Sequence, residues 1–377
     1  MPSQPDRPFP PSATLLYAPV PTVKGRGTVW ALEHRFARES RASLDDGWGT
    51  LARAAAEDCS GSPGTDVHAE SVRSIVTGNE SPDIGFDLSI NPYRGCEHGC
   101  IYCYARPTHS YLNLSPGIDF ETHIVAKVNA AEKLRETLGA RGYAPGLLNI
   151  GSVTDAYQPA ERRLRITRSV IEVLAEAQHA FSIVTKSSLV ERDLDLIAPL
   201  AAQKLAAVCV SVTTLDTELA RKLEPRACSP QRRLRTIEAL ARAGVPVGVS
   251  VSPVIPFLNE PELERVLHEA RDAGATSAFS IVLRLPWEVS PLFQQWLRQH
   301  VPDRADRIMA RVRDMRGGRD NDSRFGTRMS GEGVWAQLLR QRFDKACQRL
   351  GLIREKPELD LSRFRPPARQ PGQAQLF

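Results

Sequence analysis

The chemistry of this chain is concentrated in one short segment, residues 91–106, which reads Asn-Pro-Tyr-Arg-Gly-Cys-Glu-His-Gly-Cys-Ile-Tyr-Cys-Tyr-Ala-Arg. Its cysteines are spaced Cys-x3-Cys-x2-Cys and are Cys96, Cys100 and Cys103. Three thiolates in such a loop can hold three irons of a [4Fe–4S] cubane and leave the fourth iron open to a small molecule. A simple electron-transfer cluster normally takes four cysteines, and no fourth cysteine lies nearby. The segment therefore predicts a cluster with one open coordination position.

A zinc site is the alternative interpretation of the same cysteines. Zinc accepts three cysteines and one histidine, and three histidines lie close by, at His98, His109 and His123. Structural zinc sites usually pair two cysteine knuckles, however, and the sequence has no second one. The spacing therefore favours a cluster over zinc, and both over a set of free structural thiols. The remaining cysteines are scattered and show no ligand spacing: Cys59, Cys209, Cys228 and Cys347.

The composition is that of a globular protein, with 377 residues, 42% hydrophobic and 25% charged. No apolar run approaches the ~18 residues of a membrane-spanning helix. The proline-rich N-terminus has no apolar segment typical of a secretory signal. We therefore expect a cytoplasmic protein without a membrane partner, in which the thiols stay reduced.

The formal charge of +5 comes with a large excess of arginine over lysine. Arginine is dense over residues 221–242 and 298–328, and such stretches can follow a phosphate backbone. Solvated helix faces and a codon bias account for the same residues, and we prefer that interpretation.

The elements that must position the cysteines begin at about residue 85, where short apolar runs start to alternate with helical patterns. This alternation is typical of βα units and a parallel sheet. The predicted strands cover residues 87–91, 147–151, 181–185, 206–212, 246–251 and 278–283. The predicted helices cover residues 124–138, 161–178, 190–202, 230–243 and 262–273. Six βα units favour a partial (β/α)6 barrel, and an open doubly wound sheet is the alternative.

Four regions follow from this division of the chain. We expect an irregular N-terminal extension over residues 1–84, partly disordered but with an ordered edge element near residues 28–33. The barrel core covers residues 85–290. Helical patterns near residues 291–316 and 333–350 predict a C-terminal helical cap over residues 291–355. The last stretch, residues 356–377, is predicted to be a disordered tail.

Polar residues follow the predicted strands at their carboxyl ends, where the active sites of βα barrels form. Those that follow the second to fourth strands are Ser152, Thr154, Asp155, Lys186, Ser211 and Thr213. Lys186 has a competing structural interpretation, because it also lies where the next helix would be capped. Glu224, Pro225 and Arg226 come after the fourth strand, and an arginine there suits the recognition of a carboxylate.

The cysteine loop resembles that of the radical S-adenosylmethionine (SAM) superfamily. Within it, Asn-Pro-Tyr-x-Gly-Cys-x3-Cys-x-Tyr-Cys-Tyr-Ala-Arg is most similar to spore photoproduct lyase and its uncharacterised bacterial relatives. The resemblance covers roughly residues 85–290. It implies a [4Fe–4S] cluster on Cys96, Cys100 and Cys103, whose open iron binds SAM. One electron then breaks a carbon–sulfur bond, which gives methionine and a 5′-deoxyadenosyl radical that abstracts hydrogen from the substrate. An electron donor such as flavodoxin or ferredoxin is also implied.

The resemblance also implies roles for the residues at the barrel mouth. Tyr102 is expected to lie against the adenine, and Lys186 to pair with the methionyl carboxylate. Glu224 and Arg226 are similar to a Glu-Pro-Arg whose charged residues contact ribose and carboxylate. Cys228 is a candidate for returning hydrogen to the substrate radical, as a cysteine does in spore photoproduct lyase.

Two further sets of candidates lie closer to the strands. Ser152, Thr154 and Asp155 occupy the place of the usual Gly-Gly-Glu near the methionyl amine, although this sequence departs from that pattern. The hydroxyls of Ser211 and Thr213 are expected to reach ribose or carboxylate oxygens.

The substrate is the open part of this interpretation. Nucleic acid is one hypothesis, from the resemblance and the arginine-rich cap, and a peptide or small metabolite is the alternative. A non-catalytic iron–sulfur or zinc-binding module is the competing class.

The C-terminal residues Gln373, Leu376 and Phe377 resemble the Gln-x-x-Leu-Phe peptide by which bacterial repair proteins dock on the sliding clamp. A tail rich in proline, glycine and glutamine cannot pack a core of its own, yet this one ends in two large apolar side chains. The alternatives are a chance match and docking of the terminal Leu-Phe on the cap.

Overall fold

The computed structural model describes residues 23–37, 64–355 and 358–367. Its strands are β1 Asp66–Glu70, β2 Val76–Gly78, β3 Leu88–Ile90, β4 Tyr93–Arg94, β5 His123–Lys127, β6 Leu148–Ile150, β7 Phe181–Thr185, β8 Ala206–Ser211, β9 Val247–Val254 and β10 Ser277–Val282. Its α-helices are α1 Asp119–Thr122, α2 Ala130–Leu138, α3 Glu161–Leu164, α4 Ile166–Glu176, α5 Leu194–Ala201, α6 Thr217–Leu223, α7 Pro230–Arg242, α8 Leu263–Asp272, α9 Val289–His300, α10 Pro302–Asp314 and α11 Gly333–Leu350.

The main sheet has seven strands in the order β10-β9-β8-β7-β6-β3-β2. The six strands from β3 to β10 in this sheet run parallel, and β2 pairs antiparallel with β3 at the edge. Strands β8 and β9 are buried along almost their whole length, as is typical of parallel strands covered on both faces. This order confirms the prediction of a partial (β/α)6 barrel.

Contacts between loops bring the two ends of the sheet together. Asp83, in the connection between β2 and β3, accepts a hydrogen bond of 2.6 Å from Arg328 Nε and one of 2.7 Å from Gly326 N. Both partners belong to the segment that covers the far edge, where Val282 N of β10 donates to Met329 O over 2.9 Å. The sheet therefore curls into a partial barrel. Loop contacts join its two edges, which are not paired as strands.

Three sequence predictions need correction. The helix predicted over residues 124–138 starts only at Ala130, because its first part is strand β5, whose residues alternate between buried and half-buried. The helix predicted over residues 161–178 is interrupted at Arg165, which has a φ of 55°. The edge element predicted near residues 28–33 is described, but it forms no strand.

The C-terminal helical patterns do form helices, but not one packed set, because α11 packs on the core of the barrel and α9 and α10 do not. The helix predicted over residues 291–316 is two helices, α9 and α10, because the chain breaks at Val301 before the proline that starts α10. Their apolar faces form a second core with Ile101 of the cysteine loop. In the part of the chain that the structure describes, no helix is long and apolar enough to cross a membrane.

Candidate functional site

The cysteine loop leaves the carboxyl end of β3 and turns twice through left-handed glycines. Gly95 has a φ of 79° and Gly99 a φ of 67°. A Cβ atom on Gly99 would lie 2.7 Å from the Glu121 carboxylate. Both turns therefore require glycine, which explains why the motif places one beside Cys96 and another beside Cys100.

The three thiols of the loop have an environment that suits an iron–sulfur cluster. Backbone N–H groups point at the sulfurs, that of His98 at Cys96 and that of Ala105 at Cys103. Burial raises the pKa of all three thiols, to about 12 for Cys100. Buried thiolates need a cationic partner, and hydrogen bonds to sulfur are a normal feature of cluster sites. The donor set therefore fits a cluster.

Arg106, the last residue of the cysteine motif, stabilises the backbone of the loop. Its side chain is fully buried and donates to carbonyl oxygens of the loop, from Nε to Cys100 over 2.9 Å and from Nη2 to Gly99 over 3.2 Å. It also donates to Gly117 O over 2.8 Å and forms an ion pair with buried Glu121. Arg106 has no predicted role from the sequence, although its place in the motif is a usable signal.

Residues 23–37, here called the N-terminal strap, cross the outside of the cysteine loop. Gly27 N donates to Glu121 Oε2 over 2.9 Å, and Ile118 N donates to Trp30 O over 3.1 Å. A Cβ atom on Gly27 would lie 1.9 Å from Gly99 O. The strap therefore lies directly against the backbone of the loop, a contact that the sequence did not predict.

A buried polar network lies beside the loop at the ends of β7 and β8. Glu224 forms an ion pair with Arg233 and accepts hydrogen bonds from Thr213, over 2.6 Å, and from the Tyr102 hydroxyl. Burial alone would raise the pKa of Glu224, but the charges of Arg233 and Lys186 and these hydrogen bonds outweigh it and lower the pKa to about 2. Glu224 is therefore a fixed carboxylate.

The same network contains most of the residues that the sequence predicted at the mouth. Lys186 Nζ lies 5.9 Å from the centre of the Tyr102 ring and interacts electrostatically with Cys100 and Glu224. Arg233 Nη1 donates to Ser211 O over 3.1 Å. The structure thus brings together Tyr102, Lys186, Ser211, Thr213 and Glu224.

Arg233 is the functional candidate that sequence reasoning missed. It belongs to a run of arginines that begins helix α7, and only one face of that helix is buried. The period of the helix was the signal that could have separated Arg233 from its exposed neighbours.

The residues after β6 hold the cysteine loop against the sheet. Thr154 Oγ1 donates to Gly95 O over 2.6 Å, and Ser152 shares hydrogen bonds with the Asn91 side chain. Asp155 accepts from the Lys186 backbone over 2.8 Å and lies 3.3 Å from His98 Nδ1. The charge of His98 and these hydrogen bonds lower the pKa of Asp155 although burial opposes them.

Arg226 and Cys228 form contacts with residues outside the network around Glu224. Arg226 is half-buried, and its guanidinium pairs with Glu97 Oε1 at 3.1 Å and donates to Thr65 Oγ1 over 3.0 Å. Cys228 is half-buried, and its sulfur accepts a hydrogen bond of 3.3 Å from Ser188 N after β7.

The histidines of the zinc interpretation are engaged elsewhere. His98 pairs with Asp155, and His109 Nε2 donates to His123 O over 2.9 Å. Burial lowers the pKa of His109 to about 4. Among residues 23–37, 64–355 and 358–367, no three His, Cys, Asp or Glu side chains are arranged to hold one metal ion. Ligands of a cubane sit on separate irons and need not converge in that way.

Comparison with known proteins points in the same direction as the geometry. The model of the radical SAM superfamily matches residues 90–270. An uncharacterized protein of Mycobacterium tuberculosis is 39% identical over 232 residues, which are 61% of this chain and 67% of that protein. An uncharacterized protein of Methanocaldococcus jannaschii is 27% identical over 219 residues, 58% of this chain and 78% of its own.

A solved structure has the same fold. Spore photoproduct lyase complexed with dinucleoside spore photoproduct superposes with a TM-score of 0.56 at 16% identity, over 76% of this chain and 81% of that one. Members of the radical SAM superfamily use a [4Fe–4S] cluster and SAM. The chain belongs to the radical SAM superfamily and is an enzyme.

Proposed function

We propose that this enzyme cleaves SAM reductively at a [4Fe–4S] cluster held by Cys96, Cys100 and Cys103, and then abstracts hydrogen from a nucleic acid. One observation carries the proposal: the three-cysteine loop directly contacts a buried network built on Glu224. Tyr102, which lies between two of the cysteines in sequence, donates its hydroxyl to that carboxylate. A direct hydrogen bond thus joins the proposed cofactor site to the cysteine loop.

The residues of the chain would divide the work as follows. When bound, the cluster and SAM supply the electron and the 5′-deoxyadenosyl radical. Glu224 stays ionised and offers acceptor oxygens to ribose hydroxyls, while Lys186 and Arg226 offer positive charge to the methionyl carboxylate. Tyr102 stays protonated, because burial and Glu224 raise its pKa, and its ring is available to the adenine.

The remaining predicted residues would serve the same site. Ser152, Thr154 and Asp155 place the end of β6 beside the cluster loop, near the expected position of the methionyl amine. Ser211 and Thr213 bring hydroxyls from the end of β8. An external one-electron donor of the flavodoxin or ferredoxin class would reduce the cluster.

Nucleic acid is the substrate class that we favour. Spore photoproduct lyase, which has the same fold, was solved with a dinucleoside photoproduct. A peptide or small metabolite is the second candidate, because the fold alone does not select the substrate.

Anaerobic reconstitution tests the central claim. The purified protein is incubated with iron and sulfide, reduced with dithionite in the presence of SAM, and assayed for 5′-deoxyadenosine. We expect iron uptake, visible cluster absorption and 5′-deoxyadenosine. A protein that holds stoichiometric zinc and takes up no iron would contradict the proposal.

Cys228 is proposed to return hydrogen to the substrate radical. The Cys228→Ala variant should still form 5′-deoxyadenosine, because the residue is not a cluster ligand, but it should divert the substrate to other products. Chromatography of the products from a lesion-bearing oligonucleotide measures this. Ser188→Ala is the control, because it removes only the hydrogen bond of 3.4 Å that the Cys228 thiol donates to Ser188 Oγ. An unchanged product distribution in Cys228→Ala excludes the role.

The C-terminal motif, residues 373–377, lies outside the described residues, and the clamp interaction is proposed from the sequence. A peptide of the last ten or so residues should bind the sliding clamp of the host with modest affinity, because the segment pays an ordering cost on binding. Isothermal titration against a peptide with Leu376→Ala and Phe377→Ala measures it. Equal binding of the two peptides would mean that the match is a coincidence.

A further inference from the structure

The exposed aromatic side chains of the described residues lie in the N-terminal strap and in the segments that follow the carboxyl ends of β3 and β10. Five are about half exposed or more, namely Phe36 49%, Tyr104 49%, Tyr111 71%, Trp287 51% and Phe325 59%. Large rings are normally buried, so several exposed rings in one region indicate a binding surface. Together with Arg35, Arg284 and Arg328 they are here called the aromatic rim.

One part of the rim is built around Arg35 at the end of the N-terminal strap. Its guanidinium lies 4.4 Å from the centre of the Trp287 ring, 4.6 Å from that of Phe36 and 5.5 Å from that of Tyr111. Buried Glu288 holds Arg35 in place. Its carboxylate forms an ion pair of 3.0 Å with the guanidinium and accepts a hydrogen bond of 2.9 Å from the backbone N–H of Arg35. The three rings therefore stand on a fixed support with their outer faces open.

The backbone at Trp287 supports a functional role. Its φ is 45°, a left-handed conformation that a bulky residue rarely adopts. This conformation leaves the indole exposed while the next residue, Glu288, is fully buried. Unusual backbone of this kind persists where the surrounding structure enforces it, and it concentrates at functional sites.

The other part of the rim begins at the cysteine loop. Tyr104 follows Cys103 directly and donates its hydroxyl to Ser152 O at the end of β6. Arg284, after the last strand, lies 5.8 Å from the Tyr104 ring, and Arg328 lies 4.5 Å from the Phe325 ring. The rim thus extends from the proposed cluster ligands outward.

Arg284 adds a positive charge to the rim, on which the nearby Asp83 carboxylate acts electrostatically without forming an ion pair. Its Nε is buried without a hydrogen-bond partner, and Nη1 reaches only Met329 Sδ at 3.5 Å. Among the residues that the structure describes, no ion pair involves Arg284. An anionic ligand beside Tyr104 would supply that partner.

Stacking of arginine on aromatic rings elsewhere in this protein serves packing instead. Arg307 and Arg311 lie over Phe257 and Trp335 in the cap, and both of those rings pack against apolar cores. The rim differs because its rings keep exposed faces.

We infer that the aromatic rim binds the unpaired bases of a single-stranded nucleic acid and presents one of them to the cluster site. Exposed rings stack on bases of any sequence, and arginines add cation–π contacts and pair with phosphates. Bases inside a duplex are already stacked and cannot offer their faces. The inference rests on the proposed function, of which it narrows the substrate class.

Fluorescence anisotropy on the reconstituted enzyme tests this inference. Labelled single-stranded DNA and RNA of about 12 nucleotides, the matching duplexes and a polyglutamate of equal charge are titrated at one salt concentration. We expect at least tenfold tighter binding of a single strand than of its duplex or of polyglutamate. Trp287→Leu and Tyr111→Leu should each weaken binding by about 5- to 100-fold.

Two controls keep the test specific. Tyr111→Phe keeps the ring and should bind like the wild type, and Arg307→Ala removes an exposed cap arginine and should have little effect. Duplex or polyglutamate binding as tight as that of single strands, or leucine variants that bind normally, would overturn the inference. Formation of 5′-deoxyadenosine without substrate is measured in the same samples, so that failure of the cluster chemistry is recognised separately.

Discussion

Replacing any one of Cys96, Cys100 and Cys103 with alanine is expected to abolish both the visible absorption of the reconstituted cluster and all 5′-deoxyadenosine formation. The loop offers three sulfurs and no substitute, because the cysteines described elsewhere lie in β8, α11 and the loop before α7. A cubane that loses one of three protein ligands has a second iron open to solvent and oxygen. Iron and sulfide analysis together with chromatography of the nucleoside measures the effect.

Cys209→Ala and Cys347→Ala are the matched controls for this prediction. Cys209 is half-buried in β8 and Cys347 is buried in α11, so both variants remove a thiol from the interior without touching the loop. They should keep full iron content. An alanine variant of Cys96, Cys100 or Cys103 that still cleaves SAM would show that the ligand set is wrong.

The second large effect concerns the ion pair between Glu224 and Arg233. Arg233→Met should lower the free energy of unfolding by about 3–5 kcal/mol, because it leaves a carboxylate buried without its cation. The double variant with Glu224→Gln should recover most of that loss, since neither charge remains, but it should still fail to bind SAM. Urea denaturation and equilibrium dialysis with labelled SAM separate the two effects.

The pH dependence of the unfolding free energy is an independent test of the ion pair between Glu224 and Arg233. The pKa of Glu224 in the folded protein is about 2, below its ordinary value, so its stabilising contribution is present above about pH 4.5 and is lost as the pH falls toward 2. The difference in unfolding free energy between the wild type and Glu224→Gln should shrink over that range. A constant difference would indicate that Glu224 is not ionised.

Arg226→Ala is the variant to compare with the Glu224 and Arg233 variants in the dialysis measurement of SAM binding. Arg226 is half-buried, and its loss should leave the cluster intact while it weakens SAM binding by about 1.5–3 kcal/mol, the value of a charged hydrogen bond. Unchanged affinity would assign Arg226 to its contacts with Glu97 and Thr65 alone.

The strands of the barrel could be predicted from the sequence because their pattern is strong. Runs such as residues 206–210 are continuous and apolar, and they are separated by helical periods. Strand β5 was mistaken for helix because its five residues lead directly into α2, and a short alternating run carries little information beside a long helical one.

The cysteine loop could be recognised in the sequence from its spacing and its resemblance to a family, whereas the contacts that support it could not. Arg106 donates to carbonyl oxygens of the loop and pairs with Glu121. Arg233 lies in an arginine-rich run, so it does not stand out from its exposed neighbours. The approach of Gly27 to Gly99 depends on the path of the N-terminal strap, and no periodic pattern encodes that path. Such contacts become visible only when the elements are assembled.

The contact between Asp83 and Arg328 has a consequence for how the molecule is made. The two residues are 245 positions apart, and about 225 residues follow Cys103 before Arg328 is synthesised. At the usual rates of translation that interval is roughly 10 to 45 s. During it the nascent barrel lacks its closing contact, so the thiols of the loop depend on the reducing power of their surroundings rather than on burial. Iron and sulfide are then expected to enter a completed apo-barrel after release from the ribosome.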